Sequence, residues 1–241
     1  MTDSAARRFW DERADDDAFF AVDDRLEYGN PDLDRFWTEG AKDLDILLDA
    51  VGAEVRAGDA VVEIGCGVGR MTRVLSERSA SVRALDVSER MLELARRHNP
   101  RLGNVEWVLG DGVSLAGIAD ASADAVVSHV VFQHIPDPAV TLGYVREIGR
   151  VLRPGGWAAF QVSNDPGVHR PRGRAAKVRV GAARLLGRRG PWHENPHWLG
   201  SSVEIPALRE AAADGSMDVE RIVGEGTQYC AVLLRRQGSA A

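Results

Sequence analysis

The feature that most constrains this chain is a short apolar run followed at once by spaced glycines. Residues 60–64 (Ala-Val-Val-Glu-Ile) predict a buried β-strand. Gly65, Gly67 and Gly69 follow it in the spacing G-x-G-x-G, and residues 71–78 can form a helix. Glycine permits a sharp turn and removes the Cβ that would block a ligand, while the first N–H groups of a helix lack partners within the helix. Strand, loop and helix together therefore predict a nucleotide-binding element.

Beyond this element, short apolar strands alternate with helical segments as far as residue 163. Helices are predicted after residue 88 and over about 139–152, and a break is predicted at 153–156. The further strands are predicted at residues 81–86, 105–109, 123–128 and 157–163. Such alternation is typical of βαβ units in a parallel, doubly wound sheet, in which the ligand lies at the carboxyl edge of the strands.

The C-terminal part predicts a different kind of pairing. A helix over residues 207–213 precedes two strands at 217–223 and 228–235, and Gly224 and Gly226 keep their connection short. Two strands joined in this way predict an antiparallel hairpin. The predicted fold is therefore α/β, with a doubly wound, seven-stranded, mostly parallel sheet that ends in a C-terminal antiparallel hairpin.

Charge divides the chain into segments. Residues 1–50 hold 15 acids and 6 bases, whereas residues 165–200 hold 8 Arg and Lys and 2 acids. We interpret residues 1–52 as a helical extension or cap. Its residues 1–32 are expected to pack over the domain, with a direct wall of the substrate pocket as the alternative. Residues 53–241 are interpreted as the main domain, with a basic, lid-like insertion at about 164–202. The insertion's arginines predict a solvated helix face that pairs with the acidic N-terminal segment, or a site for an acidic group on the substrate.

Bulk composition argues against several functional classes. The net charge of −6 argues against general affinity for nucleic acid. No apolar run approaches the ~20 residues that span a bilayer, and the N-terminal residues are too charged for a signal peptide. Two cysteines make no disulfide framework. We therefore expect a cytoplasmic protein without a membrane span. We expect no metal site, because Pro196 interrupts the helical spacing of His193 and His197.

The residues after the second strand narrow the choice of nucleotide. Asp86 lies 21 residues beyond Gly65 and ends that strand, where a carboxylate can accept hydrogen bonds from both ribose hydroxyls. Enzymes that bind NAD use the same device, and an aspartate that caps the next helix is the structural alternative. The loop spacing differs from the dinucleotide pattern G-x-G-x-x-G, and Arg70 and Met71 stand where that pattern has its third small residue.

Five motifs, taken together, resemble those of class I S-adenosylmethionine-dependent methyltransferases, of the broad group that acts on small molecules and quinone-type substrates. The motifs are E-I-G-C-G-V-G-R (63–70), L-D-V-S-E-R-M-L (85–92), G-D-G (110–112), H-V-V-F-Q-H-I (129–135) and L-R-P-G-G (152–156). The resemblance covers about residues 55–163. It implies a Rossmann-like methyltransferase fold and S-adenosyl-L-methionine as the cofactor.

The resemblance also implies roles for individual residues. Glu63 and the glycine loop would border the methionine part of the cofactor, and Asp86 would hold the ribose hydroxyls. Asp111 would accept from the adenine amino group, and His129 would open a loop whose backbone contacts the methionine amine. The complete set of implied cofactor-binding residues is Glu63, Gly65, Cys66, Gly67, Gly69, Asp86, Val87, Met91, Gly110, Asp111, Gly112 and His129. Cys66 is interpreted as a small filler of the loop, because no base is indicated beside it.

The sequence contains fewer motifs that indicate where the methyl acceptor binds. His134 is the candidate general base, since it lies in the loop beyond the fourth strand; the alternative is a residue that caps a turn or packs under Pro136. Gln133 either orients the substrate or faces solvent. The candidate substrate residues are Gln133, His134, Arg170, Arg172, His193 and His197.

The leading hypothesis is transfer of a methyl group to oxygen, nitrogen or carbon of a small molecule, by in-line displacement. An NAD-dependent reductase is opposed by the loop spacing and by the G-D-G element. A protein or RNA methyltransferase is opposed by the acidic balance and by the lack of an Asn/Asp-Pro-Pro-Tyr-like element after the fourth strand. A cofactor-binding module without catalysis stays open, because the cofactor motifs say nothing about turnover.

Overall fold

A computed structural model describes residues 4–169 and 195–238 of the chain. Its seven strands form one sheet in the order β3-β2-β1-β4-β5-β7-β6. The strands are β1 (Ala60–Ile64), β2 (Ser81–Asp86), β3 (Val105–Leu109), β4 (Ala123–Ser128), β5 (Leu152–Val162), β6 (Met217–Val223) and β7 (Cys230–Arg236). The first five run parallel, and β7 pairs antiparallel with both β5 and β6. The predicted mixed sheet with its C-terminal hairpin is thus confirmed.

Seven α-helices and a 3-10 turn at Phe132–His134 accompany the sheet within the described residues. They are α1 (Ser4–Val22), α2 (Leu33–Val51), α3 (Arg70–Arg78), α4 (Glu89–His98), α5 (Pro138–Val151), α6 (Pro196–Leu199) and α7 (Ile205–Asp214). Local contacts explain where some of these helices begin or end. Ser88 caps the start of α4 by accepting from the Met91 N–H, and Gly52 ends α2 in the left-handed conformation. None of the helices described is long and apolar enough to cross a membrane.

The predicted break at residues 153–156 lies inside a strand. β5 begins at Leu152, which pairs with Ala123, and the register then shifts so that Trp157 pairs with Ala125. The extra residues form an irregularity in the strand, and Gly155 takes a positive φ of 81° there. Proline and glycine thus mark a bulge at the entry of β5.

Apolar side chains cover both faces of the sheet. On one face, α5 and α7 pack with Ile148 and Leu208 against strand residues such as Val126. On the other, α2 and α3 bury Leu44 and Leu75 against the opposite side of the same strands. A parallel sheet needs helices on both faces because its strands are apolar on both sides.

The N-terminal segment has apolar packing of its own. Ala14 and Ala18 of α1 share a buried cluster with Phe36 of α2, Val68 of the glycine loop and Met91 of α4. This cluster holds α1 across the carboxyl edge of the sheet. The proposed boundary between a cap and a main domain at residue 52 stays a prediction, since α2 also packs directly on the sheet.

Strand order places a crevice at that edge. β1 lies between β2 and β4, so the chain leaves β1 towards one side of the sheet and returns to build β4 on the other. The loops after β1 and β4 therefore separate at their carboxyl ends, which is where open α/β sheets bind ligands.

Candidate active site

A pocket opens where β1, β2 and β4 end. The loop at 63–67 forms one wall, residues 85–87 with Gly110 and Gly112 form the next, and 127–132 close the third. Helix α1 covers the pocket with Ala6, Trp10 and its C-terminal residues Ala21 and Val22. A strand-end crevice covered by a helix is suited to a ligand that must be shielded from water.

Two glycines of the loop are required by close neighbours. A Cβ on Gly65 would lie 2.3 Å from Cγ2 of Val131, and a Cβ on Gly67 would lie 2.8 Å from Cγ2 of Val22. Both glycines have positive φ, at 76° and 54°. The loop therefore fits between the β4 loop and α1 only without side chains.

Asp86 ties the loops together. Its Oδ2 accepts from the Gly67 N–H and its Oδ1 from the Ser88 N–H, both at 2.8 Å. The carboxyl group still lines the pocket, and each oxygen keeps capacity for a further donor. Burial raises the pKa of Asp86 to about 6, an effect that these N–H groups partly offset and Asp11 increases. Asp86 is thus placed both to brace the glycine loop and to accept from a ligand.

Glu63 is a buried acid at the end of β1. Only 4% of its surface is exposed, and Thr72 Oγ1 lies 2.5 Å from its Oε2. Burial raises the pKa of Glu63 to about 7, and Asp86 adds to the rise, while Thr72 and Arg70 lower it. A cationic group of a ligand beside Glu63 would favour its ionised form.

Helix α1 is bound to the adjacent loops by two polar side chains. Arg7 donates from Nε to the Val87 carbonyl and from Nη2 to the Gly110 carbonyl, both at 3.1 Å. Asp11 accepts from the Ser88 hydroxyl at 2.6 Å, at the start of α4. These contacts bridge the ends of β2 and β3 and hold α1 over the pocket.

The orientation of His134 determines which ring nitrogen is basic. Its Nδ1 lies 2.8 Å from the Trp198 carbonyl, which can only accept, so Nδ1 carries the proton. Nε2 is then the unprotonated nitrogen of the neutral ring, and the Gln133 amide nitrogen lies 3.5 Å from it. Burial lowers the pKa of His134, although the hydrogen bond to Trp198 opposes the change. The neutral ring therefore has a basic Nε2, and the contact with the Trp198 carbonyl fixes this tautomer.

Aromatic rings surround this base. Trp10 meets the His134 ring edge-on at 5.6 Å between centroids, and Trp198 lies 5.1 Å away at a tilt. Phe9 stacks on His197 at 6.1 Å. The acceptor end of the pocket is thus framed by α1 on one side and α6 on the other.

Most of the predicted cofactor residues line this one pocket. These are Glu63, Gly65, Cys66, Gly67, Asp86, Val87, Met91, Gly110, Gly112 and His129. His134 and His197, from the predicted substrate set, line it as well. Burial raises the pKa of the Cys66 thiol well above its usual value, which agrees with a filler and not a nucleophile.

Two predicted cofactor residues, Gly69 and Asp111, do not line the pocket. Gly69 begins α3, where a Cβ would meet Trp107 at 2.7 Å. Asp111 accepts from the N–H groups of Val113 and Ser114 and from the Ser114 hydroxyl, so its carboxylate is engaged in its own turn. Their predicted cofactor contacts stay predictions without support from the pocket geometry.

Gln133 is buried, so the prediction that it could face solvent is wrong. Only 4% of its surface is exposed, and its Oε1 is buried without a hydrogen-bond partner in the structure. Arg170, Arg172 and His193 lie outside the described residues, as does most of the basic insertion.

Trp10 and Arg70 are two pocket residues that the sequence motifs do not assign to the site. The aromatic residues of the N-terminal segment were a signal for Trp10, and the alternative of a substrate wall describes its position in the pocket. In the sequence, Arg70 stands out only as a departure from the dinucleotide pattern. Its role depends on contacts with distant segments, which the local sequence does not reveal.

Comparison with known families agrees with this geometry. Residues 62–160 match the family described as "Methyltransferase domain". A ubiquinone biosynthesis O-methyltransferase of Thiobacillus denitrificans is 32% identical over 109 residues, covering 45% of this chain and 46% of that protein. An uncharacterized transposon protein of Streptomyces fradiae is 37% identical over 141 residues, covering 56% of this chain and 38% of its own length. The chain therefore spans less than half the length of these two relatives.

Solved structures show the same fold. Phosphoethanolamine N-methyltransferase 1 of Haemonchus contortus, solved with phosphoethanolamine and S-adenosylhomocysteine, matches with a TM-score of 0.67 at 19% identity. The match covers 98% of this chain and 49% of that one. At this identity the likeness concerns the fold, and it includes the N-terminal helices as well as the sheet.

Proposed function

The chain contains a methyltransferase domain in the fold of the S-adenosylmethionine-dependent methyltransferases, and we propose that it transfers a methyl group to a hydroxyl of a small, largely apolar acceptor. One observation carries this proposal. A single pocket joins a strand-end nucleotide site, with Gly65 and Asp86, to a neutral histidine base, His134.

The residues of the pocket fit S-adenosylmethionine. Gly65 and Gly67 form a cradle that a Cβ would fill, as the close approach of a ligand requires. We propose that Asp86 accepts from the ribose hydroxyls and that Glu63 faces the amino group of the methionine part. Glu63 suits a cation, because burial raises its pKa to about 7 and a cation beside it would favour the ionised carboxylate.

The cofactor supplies an activated methyl group on a sulfonium, so the protein's tasks are positioning, exclusion of water and removal of one proton. Trp10 and Trp198 hold the ring of His134, and α1 covers the pocket. We propose that His134 Nε2 accepts the hydroxyl proton as the acceptor oxygen attacks. The imidazolium that forms still donates a hydrogen bond from Nδ1 to the Trp198 carbonyl.

The lining favours a neutral acceptor over a cationic amine. Besides the imidazoles of His134 and His197, the acceptor end is formed by Trp10, Ile135, Pro136 and Tyr144, which offer apolar or aromatic surface. The carboxylates of the pocket, Glu63 and Asp86, belong to the glycine-loop end. A primary ammonium at the acceptor end would lose its hydration there without a carboxylate to replace it.

The test measures binding and turnover separately. We expect calorimetry to detect S-adenosylmethionine and S-adenosylhomocysteine but not NADH, and a panel of hydroxyl and amine acceptors to be methylated at the phenols and alcohols. His134→Asn should retain cofactor affinity and lower kcat by roughly 10²–10³. His98→Asn is the matched control, since His98 contacts Phe19 and Trp37 away from the pocket.

The outcomes distinguish the alternatives. Binding of NADH in place of S-adenosylmethionine would exclude the methyltransferase proposal. Cofactor binding without turnover on any acceptor of the panel would favour a binding module, and unchanged turnover in His134→Asn would remove His134 as the base. A cytoplasmic location and the absence of nucleic-acid substrates stay predictions from the sequence.

The pH dependence of turnover gives an independent check on the base. Because burial lowers the pKa of His134 below its usual 6.5, the neutral ring persists to lower pH than a free imidazole. At saturating cofactor and acceptor, we expect kcat to stay level down to about pH 6.5 and to fall only below it. An acid limb centred above pH 7 would contradict the assignment.

A further inference from the structure

Arg70 stands beside the glycine loop in a buried network of charges. It begins α3, lines the pocket and exposes only 6% of its surface. Its Nη1 donates to Asp43 Oδ2 at 2.6 Å and lies 3.5 Å from Asp23 Oδ2. Arg25 contacts the same two aspartates at 2.7 Å each. Two arginines and two aspartates thus balance in charge at the base of the pocket.

The surroundings keep the Arg70 side chain in one place. A Cβ on Gly40 would lie 2.5 Å from Cγ of Arg70, so the absence of a side chain on this face of α2 leaves room for the arginine stem. The Phe36 ring lies 5.7 Å from the guanidinium carbon. A long side chain clamped in this way has already lost the rotamer freedom that ligand binding would otherwise cost.

One edge of the guanidinium has no partner in the protein. Nε and Nη2 of Arg70 make no hydrogen bond to any residue that the structure describes. Nη1 makes the ion pairs with both Asp43 and Asp23. This Nε–Nη2 edge is the one that carries two parallel N–H groups, the geometry that binds a carboxylate bidentately.

A second group without a partner lies nearby in the same pocket. Nδ1 of His129 is buried and has no hydrogen-bond partner in the structure. His129 lines the pocket at the end of β4, and the charges of Asp43 and Arg70 both act on it. A buried polar atom without a partner is costly, so this atom also points to a ligand.

We propose that the Nε–Nη2 edge of Arg70, assisted by Nδ1 of His129, binds the carboxylate of the cofactor's methionine part. The inference rests on the proposed function, because it assigns a residue to one end of the proposed cofactor. The zwitterionic end of the cofactor then meets complementary groups, with its ammonium at Glu63 and its carboxylate at Arg70. Asp43 and Asp23 act as positioning residues that hold the guanidinium from behind.

The experiment compares ligands with and without the carboxylate. Calorimetry would measure S-adenosylhomocysteine, which has the amino-acid part, and 5′-methylthioadenosine, which lacks it. For Arg70→Lys, which keeps the charge against the aspartates but loses the fork, we expect S-adenosylhomocysteine to bind ten- to a hundredfold more weakly. The affinity for 5′-methylthioadenosine should change by less than twofold.

Arg73→Lys is the matched control. Arg73 lies one turn further along α3, where it covers the Trp37 ring at 3.6 Å and donates to Asn99, outside the pocket. The same chemical change there should leave both affinities unaltered. Equal losses for both ligands in Arg70→Lys, or no loss for either, would overturn the proposal.

A measurement on the unaltered protein covers the case in which the variant does not fold. The carboxamide of S-adenosylhomocysteine should bind the wild-type protein at least tenfold more weakly than the parent compound. Equal binding of the two would overturn the assignment of Arg70. Failure of the wild-type protein to bind S-adenosylhomocysteine at all would instead overturn the proposed function, so the two failures are distinguishable.

Discussion

Glu63 is a residue of this site whose burial lowers the stability of the folded protein while its charge favours binding of a cationic ligand. Burial raises its pKa from 4.5 to about 7, so between these values the folded protein binds the proton more tightly than the unfolded chain does. Ionisation of Glu63 therefore lowers the free energy of unfolding progressively as the pH rises from 4.5 to 7, and the loss is complete above pH 7.

We accordingly expect Glu63→Gln to raise the free energy of unfolding of the cofactor-free protein by about 3 kcal/mol at pH 8. The gain should shrink towards pH 5, and affinity for the cationic cofactor should fall. Urea unfolding at the two pH values measures the first effect. Glu54→Gln, at an exposed position, is the control, and a gain that does not depend on pH would contradict the assignment.

A side chain at Gly65 would destabilise the protein in two ways, by a steric clash and by backbone strain. Gly65→Ala adds a Cβ that meets Val131 at 2.3 Å, at a φ of 76°. Gly29→Ala has nearly the same φ, 75°, with nothing within 4 Å, so it brings backbone strain alone. We expect roughly 1–2 kcal/mol of destabilisation for Gly29→Ala and a further ~1–3 kcal/mol, with loss of cofactor binding, for Gly65→Ala. Equal unfolding free energies for the two variants would contradict the clash.

Residues whose role depends on local backbone geometry could be predicted from the sequence, and those that depend on distant contacts could not. Gly65 and Asp86 follow from the spacing of a strand, a turn and the next strand. Arg70 owes its position to Asp23 and Asp43, which belong to other segments. Asp111 stands at a strand end like Asp86, but its own turn offers N–H groups that engage the carboxylate.

At the scale of the element, the helix α1 is held to the pocket by identifiable contacts. Arg7 bridges the carbonyls of Val87 and Gly110, at the ends of β2 and β3. We expect Arg7→Met to speed dissociation of S-adenosylhomocysteine by about tenfold, because it removes two hydrogen bonds from a charged donor. Stopped-flow displacement would measure the rate.

The neighbouring arginine provides the control for this prediction. Arg8 is exposed, and its Nε donates to the Ser4 carbonyl within the same helix. Arg8→Met therefore makes the same chemical change on α1 without touching the strand ends. A comparable acceleration in both variants would mean that the effect comes from the helix and not from the bridge.

Elements could be predicted where the apolar pattern is local. The bounds predicted for β3 and β6 agree with the structure, because each is a short run with a clear start and end. The predicted start of β5 at residue 157 is wrong, because Pro154 and Gly155 are typical of a turn between two elements. The pairing of Leu152 with Ala123 that extends the strand is a contact between distant residues.

For the whole molecule, the pocket predicts where a ligand will slow local motion. S-adenosylhomocysteine should protect the amides of α1 from hydrogen exchange, because Ala6, Trp10 and Val22 line the pocket that it would fill. The β6–β7 hairpin contributes no residue to this pocket and serves as the internal control. Exchange measured with and without the ligand would test this, and equal protection in α1 and the hairpin would contradict it.

The order of the sheet shows the limit of sequence reasoning at this scale. Gly224 and Gly226 suffice to predict that β6 and β7 pair, but a hairpin can add to a sheet by either strand. The placement of β7 between β5 and β6 comes from its apolar residues, which are buried on both faces, whereas β6 is largely exposed. An exposed strand is tolerated at the edge of a sheet, while a buried one is not.

Helix α1 carries Arg7 at the nucleotide end of the pocket and Trp10 at the acceptor end, three residues apart. The part of α1 before its kink at Asp17 thus reaches both ends of the pocket, so we expect exchange of either reactant to require that this part of the helix moves. For the steady-state kinetics, we therefore expect a compulsory order of binding. Competitive inhibition by S-adenosylhomocysteine against S-adenosylmethionine, together with noncompetitive inhibition against the acceptor, would mean that the cofactor enters first.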